Sequence, residues 1–96
     1  MHAVMRSYSG KGAKELFDLL DTRKAEVETA LRQVKSFKSY TLMRSADGGI
    51  SLTVCGDKSG TDESLVVARD WIAKNAGATS VSPPNIAEGD VIIHAV

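Results

Sequence analysis

The order of periodicities along the chain predicts an α+β sandwich, strand-helix-strand-strand-helix-strand, folded as a four-stranded antiparallel sheet with both helices on one face. Three observations carry that expectation. Apolar residues recur at helical spacing from Ala13 to Val34 and again from Leu65 to Ala76. Ile50, Leu52 and Val54 alternate with Ser51, Thr53 and Cys55, the period of a strand. Asp47-Gly48 sits between two strand-like runs and marks a hairpin, because glycine accepts positive φ at little cost.

Taken in order, His2–Ser9 reads as a first strand, closed by Gly10 and Gly12. One helix is expected over Ala13–Val34, its stripe made by Leu16, Phe17, Leu20, Val27, Ala30, Leu31 and Val34, with Arg23 in the gap of that stripe. A long arginine stem can pack there while its head reaches water. Phe37–Arg44 and Ile50–Cys55 are the hairpin strands around residues 45–49, and Asp57–Gly60 is a loop. Thr61 is the expected N-cap of the second helix, with Asp62 and Glu63 suited to its positive end. Leu65, Ala68, Ile72 and Ala76 form its buried stripe, Val67 and Trp71 flank it, and Gly77 closes it. Ser82-Pro83-Pro84-Asn85 must be loop or sheet edge, since proline cannot donate to a ladder. Glu88-Gly89 is expected to turn the chain into a last strand, Asp90–Val96. Two right-handed crossovers then give the strand order 4-1-3-2.

Composition narrows the function classes. The 96 residues make a single domain, 1–96, which buries roughly two-thirds of its unfolded surface, enough for one thin core. A deeply held ligand would need help from a second subunit. Twelve basic and twelve acidic residues cancel, so nothing draws the chain toward nucleic acid or a charged membrane surface. No run approaches the ~18 apolar residues of a membrane span, and no basic segment followed by an apolar run suggests a signal peptide. The lone cysteine, Cys55, cannot form an internal disulfide and fits a reducing, cytoplasmic setting. No metal set and no cofactor motif is present, so neither is expected. Gly10-Lys11-Gly12 lacks the spacing and the Ser/Thr of a phosphate loop and reads as a strand-to-helix turn.

The sheet face away from the helices is expected to carry Ser51, Thr53 and Cys55 with Val4, Arg6 and Tyr8, or Ile92, His94 and Val96. Such a mixture is too apolar for water alone and points to a homodimer formed through the sheet.

Tyr40-Thr41-Leu42-Met43-Arg44-Ser45-Ala46-Asp47, followed by Ile50-Ser51-Leu52, resembles the hairpin of the dimeric α/β-barrel superfamily, and especially its antibiotic biosynthesis monooxygenase-like members. The long first helix and the Pro84–Val96 ending fit the same pattern. The resemblance implies a ferredoxin-like βαββαβ fold, two sheets packed into a barrel, and a pocket in each subunit between sheet and helices. Members include cofactor-free oxygenases acting on polyphenols, haem-degrading enzymes and proteins with no assigned reaction. The chain also departs from the pattern. It reads Val54-Cys55-Gly56-Asp57 where members often carry an aromatic and an acid-Trp pair, and its second helix has no histidine. Trp71 is explained by packing. No catalytic residue is therefore carried over.

Candidate ligand contacts follow from residue type. Arg6 and Arg44 can orient an acidic or phenolate group with a forked hydrogen bond, and Tyr8 and Tyr40 can donate to it. His94, on the last expected strand, lies near His2 if first and last strands pair, giving two imidazoles that could relay a proton. Cys55 has no nearby base and reads as a buried thiol. An RNA-recognition role is disfavoured because Ser51, Thr53 and Cys55 stand where stacking aromatics would be needed. The expected function is binding of a small apolar or aromatic molecule by a cytoplasmic homodimer, with cofactor-free oxygenation as its chemistry; the alternative is a non-catalytic dimeric scaffold or regulatory module.

Overall fold

The eight residues of β1 (His2–Ser9) alternate between buried and half-buried, and the strand pairs antiparallel on both sides. Its neighbours are β3 (Gly48–Cys55) and β4 (Asn85–Asp90), and β2 (Phe37–Ser45) lies outside β3. The sheet order β2-β3-β1-β4 is the expected one. The structure, a computed structural model, describes residues 1–96. Helices α1 (Ala13–Thr22), α2 (Lys24–Arg32) and α3 (Lys58–Asn75) cover one face. Their large apolar side chains, Leu16, Phe17, Leu20, Val27 and Leu31, make the core with Tyr8 from the sheet.

The single helix expected over Ala13–Val34 is two. Arg23 leaves helical geometry at φ −112°, its N–H ending α1 on the Leu19 carbonyl at 3.0 Å. Its own carbonyl starts α2 by accepting from Glu26 and Val27, both at 3.1 Å. The gap in the apolar stripe is thus a break in the backbone. The guanidinium is held outside the core, clamped by Glu26 and lying 5.2 Å from the Trp71 ring centroid.

The start of α3 also differs from expectation. Asp57, not Thr61, is the N-cap, and its carboxylate accepts from Gly60 N–H at 3.1 Å and from the Ser59 hydroxyl at 2.7 Å. Thr61 is instead buried one turn in, its hydroxyl donating to the Lys58 carbonyl. The buried face of α3 is made of small residues, Gly60, Thr61, Ser64 and Ala68, so its first turns approach the sheet closely. Leu65 and Ile72 are only half-buried. Gly77 follows the helix but opens a single 3-10 turn, Gly77–Thr79, instead of adopting a left-handed cap.

The final strand runs over Asn85–Asp90, earlier than the expected Asp90–Val96. Glu88 and Gly89 do not turn; they pair with Val4 and Ala3 in the ladder. The register with β1 places them there: His2↔Asp90 is the last pair of the ladder, and Val91 N–H then reaches the Met1 carbonyl at 2.9 Å. The remaining residues leave the ladder and cross the opposite face of the sheet, where His94 Nε2 lies 3.3 Å from Ser39 Oγ. That tail explains why Val54, on the face away from the helices, is 3% exposed.

The two faces are the reverse of the expected arrangement. Ser51, Thr53 and Cys55, with Val4, Arg6 and Tyr8, lie beneath the helices. Ile50 and Leu52, together with Met5 and Met43, face away. The physical reason is volume. The helices already fill the inner layer with large side chains, so the central strands fit under them with small ones. At Gly49 even a Cβ would come within 2.5 Å of the Phe17 ring and the Met43 carbonyl.

Candidate functional site

On the inner face, strand register sets side chains in rows. Arg6 stands beside Ser51 and Leu42 on one side and Ile86 on the other, while Val4, Thr53 and Tyr40 make the adjoining row. Under α3 these rows are incompletely filled. A cleft of about 490 Å³ opens between the sheet, α3 and the segment Val81–Pro84. Arg6 and Tyr8 form its floor, Leu65, Ile72, Val81 and Ile86 are apolar walls, and Arg69 stands at the rim. A small inner chamber of about 20 Å³ shares Arg6, Tyr8 and Ile72 with the cleft and adds Tyr40, Ser51 and Trp71.

Arg6 is 5% exposed. One guanidinium N–H donates to the Tyr8 hydroxyl at 3.1 Å, and no carboxylate forms an ion pair with it. Tyr8 packs edge-on against Phe17, with ring centroids 6.0 Å apart, which fixes the phenol over the floor. Burial raises the Tyr40 phenol above its usual range, with the Arg6 charge acting in the opposite direction. Ser51 Oγ and Thr53 Oγ1 are buried beside this group without hydrogen-bond partners. Burying a hydroxyl without a partner is unfavourable, so these two mark unspent binding capacity.

Three of the five candidate residues, Arg6, Tyr8 and Tyr40, therefore come together. Arg44 does not join them. It stands at the hairpin end, donates to Asp18 Oδ1 at 2.9 Å, and lines a separate depression beside Lys14 and Phe17. His94 lies on the far side of the sheet with Ser39. Sequence reasoning misplaced Ser51 and Thr53 onto the open face and passed over Arg69 and Pro83-Pro84. The signal for the first two is their small size opposite a helix whose first turns carry Gly60, Thr61 and Ser64, itself small on its inner side.

The histidines do not pair. His2 is buried beneath α3, its Nδ1 2.7 Å from Thr61 Oγ1 and its Nε2 3.6 Å from Glu88 Oε1. The Thr61 hydroxyl already donates to Lys58, so it accepts from His2 Nδ1–H, and Glu88 also faces Lys58 at 3.6 Å. This cluster ties β1, β4 and α3 together. Cys55 is fully buried, and burial pushes its thiol up, reinforced by Asp57 and Glu63, so it is poorly suited to be a nucleophile. No three His, Cys, Asp or Glu side chains converge in a way that could hold a metal ion.

Gly10-Lys11-Gly12 acts on the cleft indirectly. Gly12 has φ 78°, and a Cβ there would meet the backbone of Thr79 and Val81. Lys11 carbonyl accepts from Ser82 N–H at 3.2 Å. The glycine loop thus seats the segment that walls the cleft. No helix is long and apolar enough to cross a membrane.

No family model matches the chain, and no curated protein matches its sequence. Solved structures do resemble it. A protein of unknown function from Nitrosomonas europaea superposes with a TM-score of 0.70 at 15% identity, covering 99% of this chain and 91% of that one. A dimeric ferredoxin-like protein from an uncultured marine organism gives 0.64 at 10% identity, over 99% and 95%. A Streptomyces coelicolor monooxygenase, solved with the ligand Nanaomycin D, gives 0.61 at 19% identity, over 99% and 89%. The chain has the ferredoxin-like fold. At these identities the likeness is one of fold.

Proposed function

We propose that this chain binds a small, largely apolar or aromatic molecule in the cleft between sheet and α3, as a homodimer packed through the open sheet face. The observation that carries the reading is the cleft of about 490 Å³, apolar in its walls, with the buried Arg6–Tyr8 pair at its floor. A few placed polar groups in an apolar concavity are the usual make-up of a small-molecule site. Residues Arg6, Tyr8 and Tyr40 are the proposed ligand contacts; Arg44 and His94 are not among them.

The dimer rests on the opposite face. Met43 is 52% and Leu52 40% exposed there, and the tail adjoining them presents Ile92 at 95% and Ile93 at 82%. Contiguous apolar surface of this kind is usually covered by a partner, and one structural neighbour is dimeric. A formal net charge of zero offers little repulsion to a second copy. The monooxygenase neighbour adds oxygenation to this proposal: a bound hydroquinone would take one atom of dioxygen as a carbonyl oxygen and itself supply the electrons and protons that release the other atom as water.

Native mass spectrometry of protein purified without added ligand tests binding and assembly together. The expected result is a two-chain species, with retained small-molecule mass in part of it. A monomer at micromolar concentration would remove the basis for sheet packing. Oxygen uptake on adding hydroquinones of one to three fused rings tests the chemistry, and a flat trace with bound hydroquinone would leave a binding protein.

A further inference from the structure

We propose that the natural ligand of the cleft carries a carboxylate, held by Arg6 at the floor while its apolar body lies against Leu65, Ile72 and Val81. The inference rests on reading the cleft as a ligand site and adds the charge of the ligand to it.

The buried charge of Arg6 has no counter-ion. Arg6 sits on β1, in the middle of the sheet, and is 95% buried by its 5% exposure. A guanidinium stays charged at any pH the fold meets, so it cannot escape burial by losing a proton. Its polar partners are phenols and not carboxylates: it donates to the Tyr8 hydroxyl at 3.1 Å, lies 5.9 Å from the Tyr8 ring centroid, and also hydrogen-bonds Tyr40. No Asp or Glu lines the cleft or the inner chamber. The acids beside these walls are already engaged, Glu88 with His2 and Lys58 and Glu26 with Arg23 and Trp71. A phenol is ordinarily neutral at pH 7, and burial shifts Tyr40 further from ionising, so it supplies no negative charge either. Buried charges in folded proteins are almost always paired. The group missing here is an anion, and the place for it is the open side of the guanidinium, toward the cleft.

The geometry favours a carboxylate over a phosphate. No lysine lines the cleft, and the second cation, Arg69, stands at the exposed rim with its Nε 3.6 Å from Asp70. A single buried positive charge balances a monoanion; a phosphate would bring surplus charge into an apolar site. The planar fork of Arg6 matches two carboxylate oxygens. Ser51, beside Arg6 in the β1–β3 register, lines the inner chamber and not the cleft, so Arg6 is the group that would hold the carboxylate.

The test is calorimetric titration of the wild-type chain and Arg6→Leu with aromatic carboxylates of one, two and three fused rings, each beside its neutral primary amide and its methylamine. For at least one ring size the acid is expected to bind wild type roughly tenfold to hundredfold more tightly than the amide, with the amine weakest. Arg6→Leu should abolish that preference while still binding the amide. Replacing a buried charge by an apolar residue is often neutral or stabilising, so the variant is expected to fold, and a melting curve checks it. Equal affinity for acid and amide in wild type would overturn the carboxylate assignment and leave the cleft as a site for neutral molecules. No binding by any compound would overturn both readings.

Discussion

The sheet face beneath the helices carries His2, Arg6, Tyr8, Ser51 and Thr53, whereas the face turned away from them carries Met5, Met43, Ile50 and Leu52. Ordinary alternation would put the apolar set inside. Here the polar set is buried and the apolar set is partly open. The difference teaches that the two faces answer to different partners. The inner layer obtains its hydrophobic mass from α1 and α2, and its strands contribute small or hydrogen-bonding groups around a cleft. The outer layer is crossed near Ser39 by the segment carrying His94, and Met43 and Leu52 stay exposed beside it.

The largest effect is expected from Gly49→Val, which strikes the inner layer at its tightest point. The added side chain would meet Phe17 and the Met43 carbonyl, so neither layer can yield without breaking the β2–β3 ladder. A loss of about 3 kcal/mol or more is expected in urea unfolding. A loss below about 1 kcal/mol would mean that the core is loosely packed there.

Leu52→Asp probes the outer face. It lies between Met5 and Thr41 in the sheet and touches no core helix, so the fold is expected to persist while the dimer dissociates. Light scattering should give the mass of one chain and circular dichroism an unchanged spectrum. A dimer of unaltered mass would show that the open face is not the interface.

Asp57→Ala tests the cap that seats α3 over the inner layer, and its effect depends on pH. Hydrogen bonds from the Ser59 hydroxyl and then Gly60 N–H hold the Asp57 carboxyl below the usual carboxylate range. A depressed folded-state pKa contributes stability that is present above the unfolded value and lost as pH falls through the folded one. The variant should therefore be less stable than wild type at neutral pH, with the gap closing in acid below the ordinary Asp range. A gap independent of pH, read from thermal melts across that window, would show that the carboxylate charge is not what holds the cap.

Ser51→Ala should have the smallest effect on stability. Its hydroxyl is buried without a partner, so removing it is expected to change unfolding free energy by less than about 1 kcal/mol, in the stabilising direction. A clear destabilisation would mean that a hydrogen bond, through water or ligand, is made there in solution.

Much of the architecture was legible before any coordinates. The 3.6-residue stripe of Leu16, Phe17, Leu20, Val27 and Leu31, the alternation of Ile50–Cys55 and the Asp47-Gly48 turn suffice for element order, and chain connectivity then leaves β2-β3-β1-β4. Arg6, Tyr8 and Tyr40 were identifiable as polar groups on strands. What eluded sequence reasoning has a shared cause: local pattern carries no information about which neighbour is tall. Alternation says that Ser51 and Leu52 face opposite ways, but only the packed helices decide that the smaller one goes inside. Similarly, Glu88-Gly89 has the composition of a turn, yet it lies in a strand because β1 offers Val4 and Ala3 as partners.

Periodicity, turn residues and charge balance are local or summed properties, so they sufficed for the strand order and its antiparallel pairing but not for the break at Arg23 or the bounds of the last strand. Tertiary structure alone decided that Arg6 is buried without a counter-ion, that His94 and Arg44 stand apart from it, and that the apolar strand face looks outward. Those are properties of distance between segments remote in the chain, and they arise only when side-chain volumes from the helices compete with those of the strands for one inner layer.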